Sequence, residues 1–179
     1  MDFVPFKKIA RLSRDMIITE KIDGTNACIY IGEDGEFLTA SRTRWITPEV
    51  DNYGFSKWAH DNKEDLMNLG SGYHFGEWWG QGIQRGYELT EKRFSLFNVS
   101  KWGDTGEYER PKCCYVVPTL YTGLFDTDSI NVTIHHLELY GSEAALGYMR
   151  PERVVIFHTA NGIMFKKTIL NDEKGKGEM

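Results

Sequence analysis

Thr19-Glu20-Lys21-Ile22-Asp23-Gly24-Thr25-Asn26 lies between two short apolar runs, Met16-Ile17-Ile18 before it and Ala27-Cys28-Ile29-Tyr30-Ile31 after it. Runs of this length on either side of a glycine read as the end of one β-strand, a tight bend at Gly24 and the start of a second strand. Lys21 then stands at a strand end between two acids, Glu20 and Asp23. The period of two in an extended chain puts Lys21 and Asp23 on one face. A lysine in such a place can serve as a nucleophile once a base or a metal ion takes its proton.

Working outward, Glu33-Asp34-Gly35-Glu36 is a hairpin signal, because Asp-Gly supplies the positive φ that a tight turn needs. The strand returning over residues 37–42 gives a three-stranded meander with the lysine strand at one side. It leads into Ser41-Arg42-Thr43-Arg44-Trp45. Residues 48–69 read as a helix with Pro48 near its start, an apolar stripe of Phe55, Trp58, Ala59, Leu66 and Met67, and a stop at Gly70. Strands are expected over 73–80, where Glu77 sits among aromatic residues, over 92–99, which holds Phe97, and over 113–117. Pro118 to Gly123 reads as an exit from the last of these, and 100–111 as a loop.

A helix over 129–147 follows, capped by Thr127-Asp128-Ser129, with Ile130, Ile134, Leu137 and Leu146 inward and His135 and His136 at the surface. Next come Glu152 before an apolar run, an Asn161-Gly162 hairpin, and a strand ending in Lys166-Lys167. Neighbours in an extended strand face opposite ways, so at most one of these lysines serves a common site. The N-terminal stretch sets Lys7, Lys8, Arg11 and Arg14 among Phe3, Val4, Phe6 and Ile9. It reads as a segment laid over the core or as a basic strip facing a phosphate backbone. The charged tail, residues 171–179, reads as a frayed end.

The 179 residues suit one domain over 1–179, and 41% hydrophobic residues suffice for a core. Eighteen glycines favour β structure over a helical bundle. A net charge of −5 does not advertise a nucleic-acid-binding surface, so any such binding needs a local basic groove. Cys28, Cys113 and Cys114 have no metal-ligand spacing, and three is a poor number for a disulfide framework. Neither a signal peptide nor a long apolar run is present, so a soluble protein of the cytoplasm, or of a phage-infected host's cytoplasm, is expected, with no membrane partner.

Lys21-x-Asp23-Gly24 resembles motif I of the covalent nucleotidyltransferases, the ATP-dependent DNA and RNA ligases and mRNA capping enzymes. Further segments follow in that superfamily's order. Ser41-Arg42 resembles motif Ia, with Arg44 as the fallback. Phe75-Gly76-Glu77-Trp78-Trp79-Gly80 resembles motif III, Ser95-Leu96-Phe97-Asn98 motif IIIa, Glu152-Arg153-Val154-Val155 motif IV, and Phe165-Lys166-Lys167 motif V. Two segments depart from the pattern: Arg153 replaces the glycine of motif IV, and the motif V lysines are adjacent. Thr19-Glu20-Lys21 with Gly24-Thr25-Asn26 is most similar to the RNA ligase 2-like group, especially compact phage forms.

The resemblance implies an α+β fold of the ATP-grasp-like nucleotidyltransferase type, two antiparallel sheets around a nucleotide cleft with flanking helices. It implies that Lys21 attacks ATP to give a lysyl-AMP, that AMP passes to a 5′-phosphate end of RNA, and that a 3′-hydroxyl then seals the strand. By the same resemblance Lys21, Asp23 and Lys166 are catalytic, and Glu20 contacts the adenine edge. Asn26, Arg42, Glu77, Phe97 (stacked on the purine), Lys166 and Lys167 bind the nucleotide, while Glu152 binds Mg²⁺ or Mn²⁺. Lys166 is favoured over Lys167 for the α-phosphate, and Arg85 faces a phosphate or is structural. The eleven residues after Thr168 are too few for the C-terminal domain many ligases use, so a minimal ligase, or one that needs an accessory protein for end joining, is expected. A DNA ligase, a GTP-using capping-type enzyme and a non-catalytic nucleotide-binding module remain as alternatives.

Overall fold

A strand flanked by apolar runs must bury one face, and the seven residues of β1 (Asp15–Lys21) do so by strict alternation. Met16, Ile18 and Glu20 are buried while Ile17, Thr19 and Lys21 are half-buried. In the computed structural model, which describes residues 2–6 and 8–168, the chain continues through β2 (Thr25–Ile31), β3 (Phe37–Ser41), β4 (Trp45–Ile46), α1 (Phe55–Asp61) and α2 (Lys63–Leu66). It then forms β5 (Gly72–Gly80), β6 (Lys92–Leu96), α3 (Val99–Trp102), β7 (Cys114–Val116) and β8 (Thr119–Leu124). It ends in α4 (Thr127–Tyr140), β9 (Arg153–His158) and β10 (Ile163–Thr168). Lys7 and the charged tail lie outside the described residues.

The strands form two sheets, ordered β10-β9-β1-β8 and β4-β3-β2-β5-β6-β7. Every pairing is antiparallel except β6 with β7. Two antiparallel-rich sheets with a few helices make the α+β class that the sequence implies. The hairpin at Asp34-Gly35 forms as expected, with Gly35 at φ 85°. The three-stranded meander does not form. β1 belongs to one sheet and β2 and β3 to the other, because β1 finds its partners 100 and more residues later in β8 and β9.

Each sheet has its own core. Met16 and Ile18 pack with Val154 and Ile156 of β9 and with Ile130, Ile134 and Leu137 of α4. Ala27, Ile29, Trp78 and Phe94 pack against Phe55, Ala59 and Leu66 of α1 and α2. A third cluster, including Ile22, Trp79, Tyr87, Val117 and Tyr148, brings together residues from beyond the ends of β1, β7 and α4.

Three segments differ from the sequence expectation. The helix placed over 48–69 begins only at Phe55 and breaks at Asn62. Asp51 accounts for the late start, since its carboxylate accepts from the backbone N–H of Ser56 and Lys57 and holds the preceding residues in a turn. The later helix ends at Tyr140, where Gly141 takes φ 81°, so Leu146 lies outside it and is exposed. Its cap is Asp126, which accepts from Ser129 N at 2.7 Å. The stretch after Pro118 is a strand, β8, in place of an exit loop. Its half-exposed residues and Gly123 hide it from a pattern reading.

Ile22, Asp23 and Gly24 carry the chain from one sheet to the other. A Cβ on Gly24 would meet Trp78 O at 2.5 Å, Trp79 Cβ at 2.7 Å and Glu77 Cγ at 3.0 Å. Two of these atoms are fixed in β5 and cannot yield cheaply. Gly24→Ala is therefore expected to destabilise the fold by about 2 kcal/mol, the cost typical of overpacking. Urea denaturation of the variant against the parent measures it.

Candidate active site

Lys21 ends β1, and β9 decides what stands beside it. The register pairs Lys21 with Arg153 and Glu20 with Val154, which brings the residue before β9, Glu152, alongside the lysine. Lys21 Nζ donates to Glu152 Oε2 at 2.9 Å across 131 residues of chain. Arg153 Nε lies 2.9 Å from the other carboxylate oxygen. The Glu152 side chain is only 11% exposed, and two cations offset the cost of desolvating it. Arg153 thus completes the carboxylate's pairing.

Glu77 approaches from the other sheet, where β5 sets it opposite Asn26. It is buried; Oε1 accepts from Gly24 N at 3.0 Å and Oε2 from Asn26 Nδ2 at 3.3 Å. Burial pushes its pKa up to about 7. The charge of Lys21 and the Gly24 N–H oppose that rise, while Glu152 and Asp23 add to it. A buried carboxyl that titrates near neutrality beside a lysine and a second carboxylate marks a site suited to charged ligands.

Asp23 lies past the end of β1, so the alternation expected to align it with Lys21 no longer applies. Its N–H donates to Tyr87 Oη at 2.8 Å, and its carboxylate accepts from Arg85 Nε at 3.0 Å. Arg85 Nη1 also donates to Arg150 O at 2.9 Å. Arg85 therefore ties the bend after β1 to the segment leading into Glu152, which is the structural one of its two expected roles. Nothing in the sequence marks Tyr87. It sits in the left-handed region at φ 52°, packs on Trp79 and Tyr148, and has its phenol pKa pushed up by burial.

Glu20 lies on the other face of β1 from Lys21. It is 1% exposed, on the α4 side of its sheet with Met16 and Ile18. Its oxygens accept from Ser142 Oγ at 2.6 Å, Glu143 N at 2.8 Å and Ala144 N at 3.0 Å. Burial raises its pKa, and these donors oppose the rise. Both oxygens are thus engaged by donors of the 142–144 segment. It anchors the 142–144 segment under the lysine strand.

The adjacent lysines part as strand geometry requires. Lys167 pairs with Val154 and donates to Asn131 Oδ1 on α4 at 2.8 Å, away from Lys21. The structure thus places Lys167 on the α4 side of the sheet and does not bring it to Lys21. Lys166 pairs with Val155, which pairs in turn with Thr19, so it shares the face of Thr19 and Lys21. In the other sheet Arg42 follows Ser41, the partner of Ala27, and so continues toward the row of Asn26 and Glu77. Phe97 lies just past β6; its N–H donates to Phe75 O at 3.0 Å and its ring is 40% exposed.

Among the described residues no three His, Cys, Asp or Glu side chains gather as a metal cage. Glu152 and Glu77 supply hard oxygen donors, which fits a cation held by one or two carboxylates together with water and a ligand's phosphates. No described helix is long and apolar enough to cross a membrane.

A sequence profile described as RNA ligase matches residues 14–169. No curated protein matches the chain. Among solved structures, an RNA ligase of Naegleria gruberi, a mutant with ATP and Mn, superposes with a TM-score of 0.60 at 18% identity, over 87% of this chain and 50% of that one. The same ligase with AMP and Mn gives 0.58 at 19% identity, over 88% and 50%. With PPi it gives 0.57 at 19% identity, over 87% and 50%. The shared feature at these identities is the fold, and the chain spans about half the length of the solved ligase.

The raised pKa of Glu77 has a definite effect on stability. Below about pH 4.5 the carboxyl is protonated in the folded and unfolded chain alike. Between 4.5 and about 7 the unfolded chain releases the proton and the folded one keeps it, so stability falls as pH rises through this window. Glu77→Gln removes the effect. The variant is expected to gain about 3 kcal/mol on the parent between pH 4 and pH 8, read by urea denaturation of both proteins at the two pH values.

Proposed function

The chain belongs to the RNA ligase family, and from that premise we propose that it is an ATP-dependent polynucleotide ligase whose nucleophile is Lys21. The observation that carries this reading is the 2.9 Å pairing of Lys21 Nζ with Glu152. It unites the two segments that resemble motifs I and IV, with Glu77 as a third charged group. Solved ligases of the same fold hold ATP, AMP and Mn, which supports a nucleotide and a divalent ion as this chain's ligands.

In the proposed reaction Lys21 Nζ, once deprotonated, attacks the α-phosphorus of ATP. A nitrogen–phosphorus bond forms, the bond to the bridging oxygen breaks, and pyrophosphate leaves. Glu152 Oε2 is the acceptor within hydrogen-bond reach of the proton that Nζ must lose. Lys166, on the same face, and Arg42, from the opposite sheet, stabilise charge on the phosphates. Glu77 and Asn26 accept from and donate to the ribose hydroxyls, and Phe97 offers its exposed ring to the purine. Glu152 would also hold a divalent ion, which would supply positive charge against the triphosphate. Asp23 positions the bend through Arg85 and Tyr87.

The lysyl-AMP then yields AMP to a 5′-phosphate, and a 3′-hydroxyl displaces it to seal the strand. RNA ends are the proposed substrate, with an accessory protein supplying further contacts to the ends.

Protein stripped of AMP with pyrophosphate and then given α-labelled ATP with Mg²⁺ or Mn²⁺ is expected to take up label that survives denaturing gel electrophoresis. Lys21→Ala is expected to take up none, and Glu152→Ala to lose at least 100-fold in labelling rate, the scale of a general base. Folded parent protein that stays unlabelled with both metals overturns the reading.

A further inference from the structure

The six-stranded sheet turns one face to its core and leaves the other open. On the open face, past Glu77, the polar row gives way to aromatic rings. Tyr73 and Phe75 alternate with buried His74 and Gly76 along β5, and both are more than half exposed. Their rings lie 5.9 Å apart and within 8° of parallel. Tyr30 of β2 stands 4.7 Å from Tyr73, and Trp45 of β4 meets Tyr30 edge-on at 6.2 Å. Four large aromatic residues thus share a surface that no described residue covers.

Such a surface is costly to leave in water unless something apolar and flat lies on it. Charge decides what that is. A pocket of about 270 Å³ over Cys28 and Ala40 is lined by Trp45, Tyr73 and Phe75 together with Arg42 and Arg44. Neither arginine side chain has a hydrogen-bond or ion-pair partner among the described residues. At the far end, beyond Tyr73, the hairpin carries Glu33, Asp34 and Glu36. Rings flanked by unpaired guanidinium groups suit a ligand with flat apolar faces and a negative backbone. The acidic hairpin repels that backbone, so the platform takes only one or two units.

We propose that Trp45, Tyr73 and Phe75, with Arg44 beside them, form a stacking platform for one or two unpaired bases at the end of a single-stranded polynucleotide. The platform rests on the reading of the chain as a ligase, because it continues the row of Arg42, Asn26 and Glu77. It holds the strand end that is to be joined, beside the mononucleotide, since Phe75 neighbours Phe97. Every base has a π-face, so the platform orders an end with little regard to sequence. A paired end, whose bases already stack on each other, gains little from it.

The test measures binding of a short, fluorescent, 5′-phosphorylated oligoribonucleotide at low salt, with a blunt duplex for comparison, to the full chain and to Tyr73→Ala, Trp45→Ala and Tyr73→Phe. Labelling by α-labelled ATP is followed on the same preparations. Each alanine variant is expected to weaken single-strand binding about tenfold, while Tyr73→Phe binds as the parent does and all take up label normally. The proposal is overturned if the alanine variants bind like the parent, if the parent prefers the duplex, or if the parent does not bind the single strand at all. The last result leaves the surface to a protein partner. Ring-dependent binding without labelling would sink the ligase reading and keep the platform, whereas labelling with ring-independent binding would do the reverse.

Discussion

The rest of the molecule depends on how closely Gly24 passes β5. No side-chain atom fits between Gly24 and Trp78 O, so the chain crosses between the sheets with its backbone N–H within reach of Glu77. That contact, more than any pairing of strands, fixes how the two sheets present their charges to each other. With a wider crossing, Glu77 would lose its donor and Lys21 would sit farther from the second carboxylate. The close passage places one lysine between two carboxylates that come from different sheets and would otherwise repel.

The electrostatic arrangement is uneven in a useful way. Glu152 is paired twice, with Lys21 on one oxygen and Arg153 on the other. Glu77 receives only neutral donors, and burial leaves its proton loosely divided near pH 7. Two acids of the same chemistry thus meet different surroundings, one paired with cations and the other buried among neutral donors. A phosphate-bearing ligand is opposed by fewer negative charges than the formal count suggests, since one of the two acids can accept a proton.

Local features were legible in the sequence wherever one segment decides its own shape. The Asp34-Gly35 hairpin, the Glu77 strand and the end of β1 at Lys21 follow from turn chemistry and period-two alternation. Sheet membership was not, because a strand's pattern shows which face is buried and not which strand lies beside it. β1 therefore looked like a neighbour of β2. Glu20 looked like a ligand contact because its burial depends on donors from 142–144, far away in the chain. Lys166 and Lys167 were separable by the alternation rule, which leaves open which of the two faces the site. Tyr87 and Arg85 act through a backbone N–H and a backbone carbonyl, and such contacts carry no residue pattern at all.

The position of β1 between β8 and β9 also bears on the order in which the molecule can be assembled. The six-stranded sheet draws on residues between Thr25 and Val116, and its pairings can close as that stretch is synthesised. β1 precedes all of these strands and can settle only after β9 has been made, since its neighbours on both sides come later. Long-range pairings of this kind close slowly, because a large loop must be ordered before any contact rewards it. The strand that carries Lys21 is thus held open through most of synthesis. Lys21 meets Glu152 in one of the last steps of folding, so a partly made chain has its larger sheet but not the pairing that joins β1 to the start of β9.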